Sequence, residues 1–398
     1  MKIKTVEEFK KLLADIDAKG YRKPLGFGIA KIDRGQLNYD LTLQANFAVA
    51  NWNENFGSAS IFLEALIQSG VEVDFDASEF VGEVNKKFIK YAYKAFYPFL
   101  DEAFGDAHKN VQAINVLKWL SKDLELEDYK VVFIFEDVAP KSVESVYLKL
   151  YALSQGKAEL RSLNLNGAFG LLPNVAWSGR EPIELDWLRE NEVELKLLGE
   201  YPTIDSVDKF PRYLSHVIPA DNTRILDSSK VRMGAQLSAG TTVMPGASYI
   251  NFNAGTTGAV MVEGRISSSA IVAKGSDVGG GASILGVLSG TNGNPVSIGE
   301  NTLLGANSVT GIPLGDGCIV DAGIAILEGT KIGISKNQLE KIKEVNPDFT
   351  YEQKDEMQFF KGLELAGLNG IHFRQNSTNG MIQALRSQRE VVLNSELH

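Results

Sequence analysis

Large aliphatic residues recur at every sixth position of one stretch, and small or polar residues fill the spaces between them. The recurring positions are Val260, Ile266, Val272, Val278 and Ile284. A helix would place such a stripe at alternating steps of three and four residues, and the intervening glycines disfavour a helix. This repeat is typical of a hexapeptide-repeat parallel β-helix, in which each hexapeptide contributes a short strand and a turn.

The same spacing continues on both sides of this stretch, with shifts of phase. It predicts inward-facing residues at Val231, Leu237, Val243 and Tyr249 upstream, and at Ile298, Leu304, Leu314, Val320, Ile326 and Ile332 downstream. We expect the phase to shift at 250–259 and 285–297, and residues 288–296, which are rich in Gly, Asn and Pro, to form a loop. Residues 231–333 hold 21 of the 38 glycines, which indicates tight turns throughout this region.

The rest of the chain has the composition of a mixed α/β protein. Residues 1–20 have the spacing of an amphipathic helix, 83–100 that of an aromatic-rich helix and 131–135 that of a buried strand, and Ser142 is a candidate helix N-cap. The sequence therefore predicts three domains, which are an N-terminal α/β domain at 1–220, a parallel β-helix at 221–334 and a C-terminal helical or irregular cap at 335–398.

The last segment follows the final repeat. We expect helices at 335–345 and 357–368, with Ser335 as the N-cap of the first. Because the end of a repeat array exposes its core, this segment is expected to cover the last coil or to reach a neighbouring subunit.

Charge and cysteine content narrow the possible partners and compartment. The net charge of −10 and the pI of about 5.1 argue against nucleic acid as a partner. No apolar stretch is long enough to predict a membrane span, and the N-terminal helix mixes lysines with acids, unlike a secretion signal. The single cysteine, Cys318, fits a reducing cytoplasm and is expected to be a small packed residue of the repeats.

Histidine is absent from the repeats. The four histidines are His108, His216, His372 and His398. Most hexapeptide-repeat proteins are coenzyme A-dependent acyltransferases with a histidine base, an analogy at the level of the fold. This distribution disfavours such a base, and it also disfavours a metal held by three histidines.

A single acid stands out in the repeats. Between Val231 and Ser276 the only carboxylate belongs to Glu263, next to Gly264 and two residues before Arg265. A carboxylate in a partly desolvated cleft can act as a general base. The alternative interpretation is a solvated turn residue that forms an ion pair with Arg265.

The residues around Glu263 resemble the tetrahydrodipicolinate N-succinyltransferase family. The matching runs are NFNAG at 251–255, MVEGRIS at 261–267, GGGAS at 279–283, LGANS at 304–308 and, upstream, DSVDKFP at 205–211. The resemblance is strong over 205–334, and the long N-terminal segment resembles the longer-chain branch of the family.

The resemblance implies a left-handed β-helix, a homotrimer with active sites between subunits, and succinyl-CoA as the donor. Glu263 corresponds to the family's catalytic glutamate, as a general base or as a nucleophile that forms a mixed anhydride. The reaction would join a succinyl group to the amine of tetrahydrodipicolinate, with ring opening to N-succinyl-2-amino-6-oxopimelate, in diaminopimelate and lysine biosynthesis. The implied succinyl-CoA-binding residues are Arg265, Gly280, Ser283, Ala306, Asp321, Ala322 and Gly329.

No metal site is expected. Some relatives hold a cation through an acid shortly before the NFNAG run, where this chain has Pro245, Gly246, Ala247 and Ser248. Two alternative functions remain open at this point: another coenzyme A-dependent N-acyltransferase acting on an amino sugar, and a non-catalytic trimeric scaffold.

Overall fold

The computed structural model describes residues 3–102, 108–122, 126–287, 291, 293–352, 355–389 and 391–393. The chain divides into two compact units, Met1–Pro211 and Arg212–His398, called here the N-terminal unit and the coil unit. The three predicted domains, with boundaries at 220 and 334, remain a prediction. None of the helices in the described ranges combines the length and apolar character that crossing a membrane requires.

The N-terminal unit contains both helices and strands. Its α-helices are α1 (Val6–Asp17), α2 (Phe56–Gln68), α3 (Lys86–Ala95), α4 (Lys109–Leu120), α5 (Val143–Ser154), α6 (Ala168–Leu171) and α7 (Leu185–Leu198), and a 3₁₀ helix spans Tyr97–Glu102. Its strands are β1 (Gly26–Arg34), β2 (Thr42–Trp52), β3 (Glu79–Glu83), β4 (Tyr129–Ile134), β5 (Val175–Ser178), β6 (Glu181–Glu184) and β7 (Ser206–Asp208).

An antiparallel sheet in the order β2-β1-β4-β3 forms the centre of this unit. Phe133 of β4 packs with residues of α1 to α4, and the intervening Val132 and Ile134 are also buried. Helix α5 contacts β1, β2 and β4, so both faces of β4 are covered, as the apolar run at 131–135 predicts. Strands β5, β6 and β7 form a second, smaller antiparallel sheet.

Helix boundaries in this unit follow local capping chemistry. The hydroxyl of Ser142 accepts a hydrogen bond from the N–H of Ser145 at 3.1 Å, so the predicted N-cap of α5 is confirmed. The predicted helices at the N-terminus and within 83–100 are α1 and α3, and α3 ends before the 3₁₀ turn at Tyr97–Glu102.

The coil unit begins with a series of two-residue strands. They are β8 (Arg224–Ile225), β9 (Thr242–Val243), β10 (Tyr249–Ile250), β11 (Gly255–Thr256), β12 (Met261–Val262), β13 (Arg265–Ile266), β14 (Ile271–Val272), β15 (Asp277–Val278), β16 (Ser283–Ile284), β17 (Ser297–Ile298), β18 (Leu303–Leu304), β19 (Val309–Thr310), β20 (Ile319–Val320) and β21 (Ala325–Ile326). Short 3₁₀ helices span Tyr213–Ser215 and Ser228–Lys230.

These strands stack in parallel into three faces. Face one contains β8, β9, β12, β15, β18 and β20, face two contains β10, β13, β16, β19 and β21, and face three contains β11, β14 and β17. Val262 of β12, for example, is aligned with Val243 of the preceding coil and Val278 of the next. The predicted parallel stacking of hexapeptides is therefore confirmed.

Each hexapeptide places two residues in the core, two positions apart. The pairs Ala270 with Val272, Ser276 with Val278 and Ala282 with Ile284 are all fully buried. The first member of a pair is usually small, because it lies near the corner where the chain turns to the next face. Cys318 is the first member beside Val320 and is fully buried, in agreement with the expected small packed residue.

The predicted position of Tyr249 is wrong by one residue. Ile250 is aligned with Ile266 and is fully buried, whereas Tyr249 is half-exposed beside Arg265. Val260, which the spacing predicts to face inward, is fully buried, two residues before Val262, the aligned residue of β12. The difference at Tyr249 arises because the corners vary in length.

The phase shift predicted at 250–259 is also wrong. The corners that connect face one to face two usually hold four residues, as at 279–282 between β15 and β16. The corner between β9 and β10 has five residues, 244–248, and the corner between β12 and β13 has two, 263–264. Residues 250–259 keep the regular step because Thr256 takes the inward position, where its hydroxyl bonds that of Thr241 at 2.7 Å. The shift at 285–297 is confirmed; within the predicted loop, 288–290 and 292 lie outside the described residues.

The C-terminal segment differs from the helical or irregular cap that the sequence predicts. Its elements are β22 (Lys331–Ser335), α8 (Lys336–Val345), β23 (Met357–Lys361), a 3₁₀ helix (Gly362–Leu365), β24 (Ile371–Gln375) and β25 (Ile382–Arg386). The helix expected at 335–345 is present, although Ser335 forms no side-chain cap bond, and the helix expected at 357–368 is wrong.

The open edge of the last coil explains the additional strands. β24 pairs in parallel with β20 of face one, and its Ile371 and Phe373 are fully buried. The unpaired N–H and C=O groups of β20 supply partners for this strand, and β22 does the same for β23, which lies where the helix at 357–368 was expected. Leu339 and Ile342 of α8 join the same apolar core, so the end of the coil is covered.

Candidate active site

Four predicted site residues occupy equivalent corners in successive coils. Glu263 follows β12, Gly280 lies between β15 and β16, Ala306 between β18 and β19, and Ala322 between β20 and β21. Backbone hydrogen bonds connect these corners, from Gly281 N to Glu263 O (3.2 Å), from Asn307 N to Gly280 O (2.9 Å) and from Gly323 N to Ala306 O (2.9 Å). These residues form one line along the edge between faces one and two, called here the corner row.

The corner at Glu263 is the shortened one. A Cβ atom on Gly264 would lie 2.3 Å from the carbonyl oxygen of Ala282, so only glycine fits there. The short connection places the Glu263 side chain against the next coil, where a Cβ atom on Gly280 would be 3.6 Å from Glu263 Oε2. The structure thus brings Glu263 and Gly280 together.

The Glu263 carboxylate is half-buried and available to a ligand. In the described ranges it accepts no hydrogen bond, and no ion pair within 4.0 Å joins it to Arg265. The alternative interpretation, a solvated ion pair between these two residues, is therefore contradicted. Both carboxylate oxygens remain free for proton transfer or substrate contact.

Arg265 and Ser283 are neighbours on the outer surface of face two. They are aligned across β13 and β16, and Arg265 Nε lies 3.4 Å from Ser283 Oγ. Arg265 is exposed and Ser283 is buried, so the guanidinium group extends outward from the strand. Such a group can hold a carboxylate or phosphate beside the corner row.

Asp321 lies at the start of the last corner, next to Ala322. Its Oδ1 is 2.7 Å from His372 Nε2, and its Oδ2 is 3.9 Å from Arg374 Nε. The six-residue repeat gives no reason to place His372 or Arg374 near the site, because both residues follow the repeats. Only the pairing of β24 with β20 brings them there, and no spacing in the sequence indicates that contact.

Gly329 is not part of the corner row. It lies in the turn after β21, at the edge of face two away from Glu263, and a Cβ atom there would meet nothing within 4 Å. The predicted residues therefore border face two on both edges, with Arg265 and Ser283 between them. No group of three or more His, Cys, Asp or Glu side chains in the described part of the chain has an arrangement that could hold a metal ion.

The stacked hexapeptides and the corner row define a hexapeptide-repeat protein with an acidic corner. Residues 295–328 match the family model "Hexapeptide repeat of succinyl-transferase". Residues 7–170 and 172–212 match the N-terminal and middle models of tetrahydrodipicolinate N-succinyltransferase. The chain belongs to the tetrahydrodipicolinate N-succinyltransferase family.

Relatives with the same domain content support this assignment. Proteins named 2,3,4,5-tetrahydropyridine-2,6-dicarboxylate N-succinyltransferase from a Nitratiruptor species and from Campylobacter jejuni are 67% and 59% identical, each over the whole of both chains. A Vibrio cholerae protein of the same name is 46% identical over 67% of this chain and 73% of its own length. The similarity thus extends beyond 205–334, as expected for the longer-chain branch.

A solved structure shows the same architecture. The crystal structure of a Campylobacter jejuni protein described as a 2,3,4,5-tetrahydropyridine-2-carboxylate N-succinyltransferase superposes with a TM-score of 0.91 at 58% identity. The superposition covers 98% of this chain and 100% of that one, so the two units and the cap belong to both proteins.

Proposed function

We infer that this chain is an acyltransferase that moves a succinyl group from succinyl-CoA to the amine of tetrahydrodipicolinate. Full-length relatives at 59–67% identity carry the name of that activity, which supports this function over an amino-sugar acceptor. The product would be N-succinyl-2-amino-6-oxopimelate, an intermediate of diaminopimelate and lysine biosynthesis. Those substrates and the single cysteine support a cytoplasmic location.

The reaction requires one water molecule and one proton acceptor. Water adds across the ring C=N bond of tetrahydrodipicolinate, and the ring opens to a ketone and a free amine. The amine nitrogen then attacks the thioester carbonyl carbon, a C–N bond forms, and the C–S bond breaks. The nitrogen loses a proton, and the departing coenzyme A thiolate gains one.

We assign the proton transfer to Glu263. The observation that carries this assignment is its half-buried carboxylate, held by the shortened corner with both oxygens free. As a general base it would take the proton from the attacking nitrogen and return it to the thiolate. As a nucleophile it would first form a mixed anhydride with the succinyl group. We favour the base because an amine attacks a thioester without covalent assistance.

The corner row is the proposed binding edge for succinyl-CoA. No hydrogen bond within the described coil uses the N–H groups of Gly280, Ala306 and Ala322, so a row of backbone donors is available to carbonyl or phosphate oxygens. Arg265 and Ser283 would hold the succinyl carboxylate or a phosphate, while Asp321 and Gly329 would border the same cleft.

We further propose that the coil is left-handed and that three copies assemble with active sites between them. The match to the hexapeptide repeat of succinyl-transferases supports the handedness. The corner row lies on the outside of one chain and supplies a single wall, so a second copy would complete the cleft. Light scattering should give about three times the 43.4 kDa mass of one chain. Full activity of a species with the mass of a single chain would contradict the assembly.

A thiol-release assay with succinyl-CoA, with and without tetrahydrodipicolinate, tests the activity. Release that depends on tetrahydrodipicolinate supports the proposal. Turnover only with acetyl-CoA and an amino sugar would favour the alternative enzyme, and no release from any acyl-CoA would favour a scaffold. Succinylation of the Glu263 peptide without acceptor would indicate the covalent route.

Glu263→Gln keeps the shape of the side chain and removes the base. Turnover should fall by about 10²-fold or more, while coenzyme A binding is retained. Glu300→Gln is the matched control, since Glu300 is an exposed acid after β17, at a different edge of the next coil. Near-normal turnover of Glu263→Gln would refute the role of Glu263.

A further inference from the structure

A groove in the N-terminal unit is not explained by the transfer reaction. It lies between α4 and the strands β1, β2 and β4, and its volume is about 380 Å³, within the range of about 300–1,000 Å³ for small-molecule sites. Most of its lining is apolar, with Ile29, Val49 and Leu117 among the residues, and Lys31 and Lys109 also line it. The groove therefore combines an apolar surface with two cations.

A β-bulge lies along this groove. The pairing of β1 with β2 shifts between Ile29 and Ala30, which leaves Ala48 without a partner, and Ala48 and Val49 both line the groove. A Cβ atom on Gly28 would lie 2.5 Å from the carbonyl oxygen of Val49, so the bulge requires glycine there. Bulges are common next to binding sites because they redirect side chains.

The two lysines of the groove lack acidic partners. Lys31 is on β1 and Lys109 is the first residue of α4, and neither forms an ion pair in the described part of the chain. Two described acids close in sequence to groove residues are already engaged: Asp33 accepts hydrogen bonds from Gln44 and Asn46, and Asp128 pairs with Arg34. None of the described residues that line the groove is Asp or Glu.

We propose that this groove is a second ligand site, which binds a small carboxylate with an apolar body. Lys31 and Lys109 would hold the carboxylate from the strand side and the helix side, and the N-terminal end of α4 adds positive potential. The hydrocarbon part would lie along Ile29, Val49 and Leu117. The described lining, which holds two lysines and no acid, disfavours an amine.

Calorimetric titration of the full chain with octanoate tests the site. We expect one saturable site whose affinity falls as salt is added, and no binding of octylamine at the same concentrations. Replacing both lysines, Lys31→Gln with Lys109→Gln, should weaken octanoate about ten-fold or more, because charge-assisted bonds are lost. Lys118→Gln, on the same helix but outside the groove, should leave the affinity unchanged.

A matched pair at one position separates charge from shape. Val116 lines the groove and is 50% exposed, so a charged residue is tolerated there. Val116→Glu should abolish octanoate binding and Val116→Lys should retain it, with circular dichroism unchanged in both. Equal affinity in the two variants, equal binding of octylamine, or no binding of octanoate to the parent chain would overturn the proposal. A lower molecular mass for Val116→Glu without octanoate binding in the parent would instead identify an interface between copies.

Discussion

In the coil unit, the neighbours of a core residue lie one coil before and one coil after it, as Val243 and Val278 do around Val262. In the N-terminal unit, Phe62 of α2 meets Phe27 of β1 and Phe88 of α3, with ring centroids 5.9 and 5.7 Å away. The coil is therefore stabilised by local, repeated contacts, and the N-terminal unit by contacts between separate elements. An atom added to the backbone of one coil can therefore clash with the carbonyl groups of the neighbouring coils, which hydrogen bonds hold in place.

Each unit carries its own spectroscopic or chemical probe. All the tryptophans, Trp52, Trp119, Trp177 and Trp187, belong to the N-terminal unit. The single cysteine, Cys318, belongs to the coil unit, where burial raises the pKa of its thiol to about 11 and keeps it protonated. Tryptophan fluorescence and thiol labelling should therefore follow the two units separately.

Gly255→Ala should have the largest effect on stability. A Cβ atom there would lie 1.8 Å from the carbonyl oxygen of Gln236, which already accepts the N–H of Thr256 and cannot move freely. We expect a loss of about 3 kcal/mol or more in the coil unit, at the upper end of overpacking effects. Labelling of Cys318 should accelerate strongly, while the tryptophan transition changes little.

Gly246→Ala is the control for this prediction. Gly246 also has a positive φ, of 80°, but a Cβ atom there would meet nothing within 4 Å. Its expected cost is about 1–2 kcal/mol, from the left-handed backbone alone. Equal effects at the two positions would show that the neighbouring coil does not constrain Gly255.

Ser276→Ala should have an intermediate effect. Ser276 Oγ donates to the carbonyl of Gly299 at 2.7 Å and accepts from the N–H of Thr302 at 3.0 Å. Alanine leaves the buried N–H of Thr302 and the partly buried carbonyl of Gly299 without this partner, so denaturation should show a loss of about 1–3 kcal/mol, with faster labelling of Cys318. Ser335→Ala, which removes a hydroxyl without a cap bond, should change stability by much less. Equal losses of stability in Ser276→Ala and Ser335→Ala would show that the hydrogen bonds of Ser276 do not stabilise the coil unit.

Glu64→Gln should have the smallest effect on stability, and that effect should be confined to the N-terminal unit. Burial acts to raise the pKa of Glu64, but hydrogen bonds from Lys19 and Gln68 outweigh it, so the pKa is lower than the usual 4.5. Because the folded-state pKa is lowered, this stabilisation is present above about pH 4.5 and is lost as the pH falls through the folded-state value.

The variant should lose about 1 kcal/mol near neutral pH and show a flatter acid dependence of the tryptophan transition. Cys318 labelling is the internal control, since Glu64 lies outside the coil unit. An unchanged acid dependence of the tryptophan transition would show that this carboxylate does not stabilise the N-terminal unit.

Much of the coil could be predicted because one physical rule repeats. Ile266, Val272, Val278 and Ile284 all face inward, as their spacing indicates. The pattern failed at Thr256, where a polar residue is inward because its hydroxyl finds partners inside the coil. The helix prediction at 357–368 failed because β23 forms there by pairing with β22, a contact that its own sequence does not indicate.

The candidate site could be predicted in part, and through two different routes. Glu263 is conspicuous from its residues alone, as the single acid of a long stretch. The positions of Gly280 and Ala306 beside it follow from the family resemblance, because corners of unequal length hide the alignment in sequence. His372 was missed because strand pairing, and not spacing, brings it to Asp321.

The corner row also fixes the distances between the binding residues. Each step, from Glu263 to Gly280, to Ala306 and to Ala322, is one strand spacing of about 4.8 Å, so the row spans about 14 Å. The length of a ligand that can contact the row therefore changes only in steps of one coil. Excising one complete coil between Glu263 and Ala322 would shorten that distance by one strand spacing and leave the corner residues on either side in place.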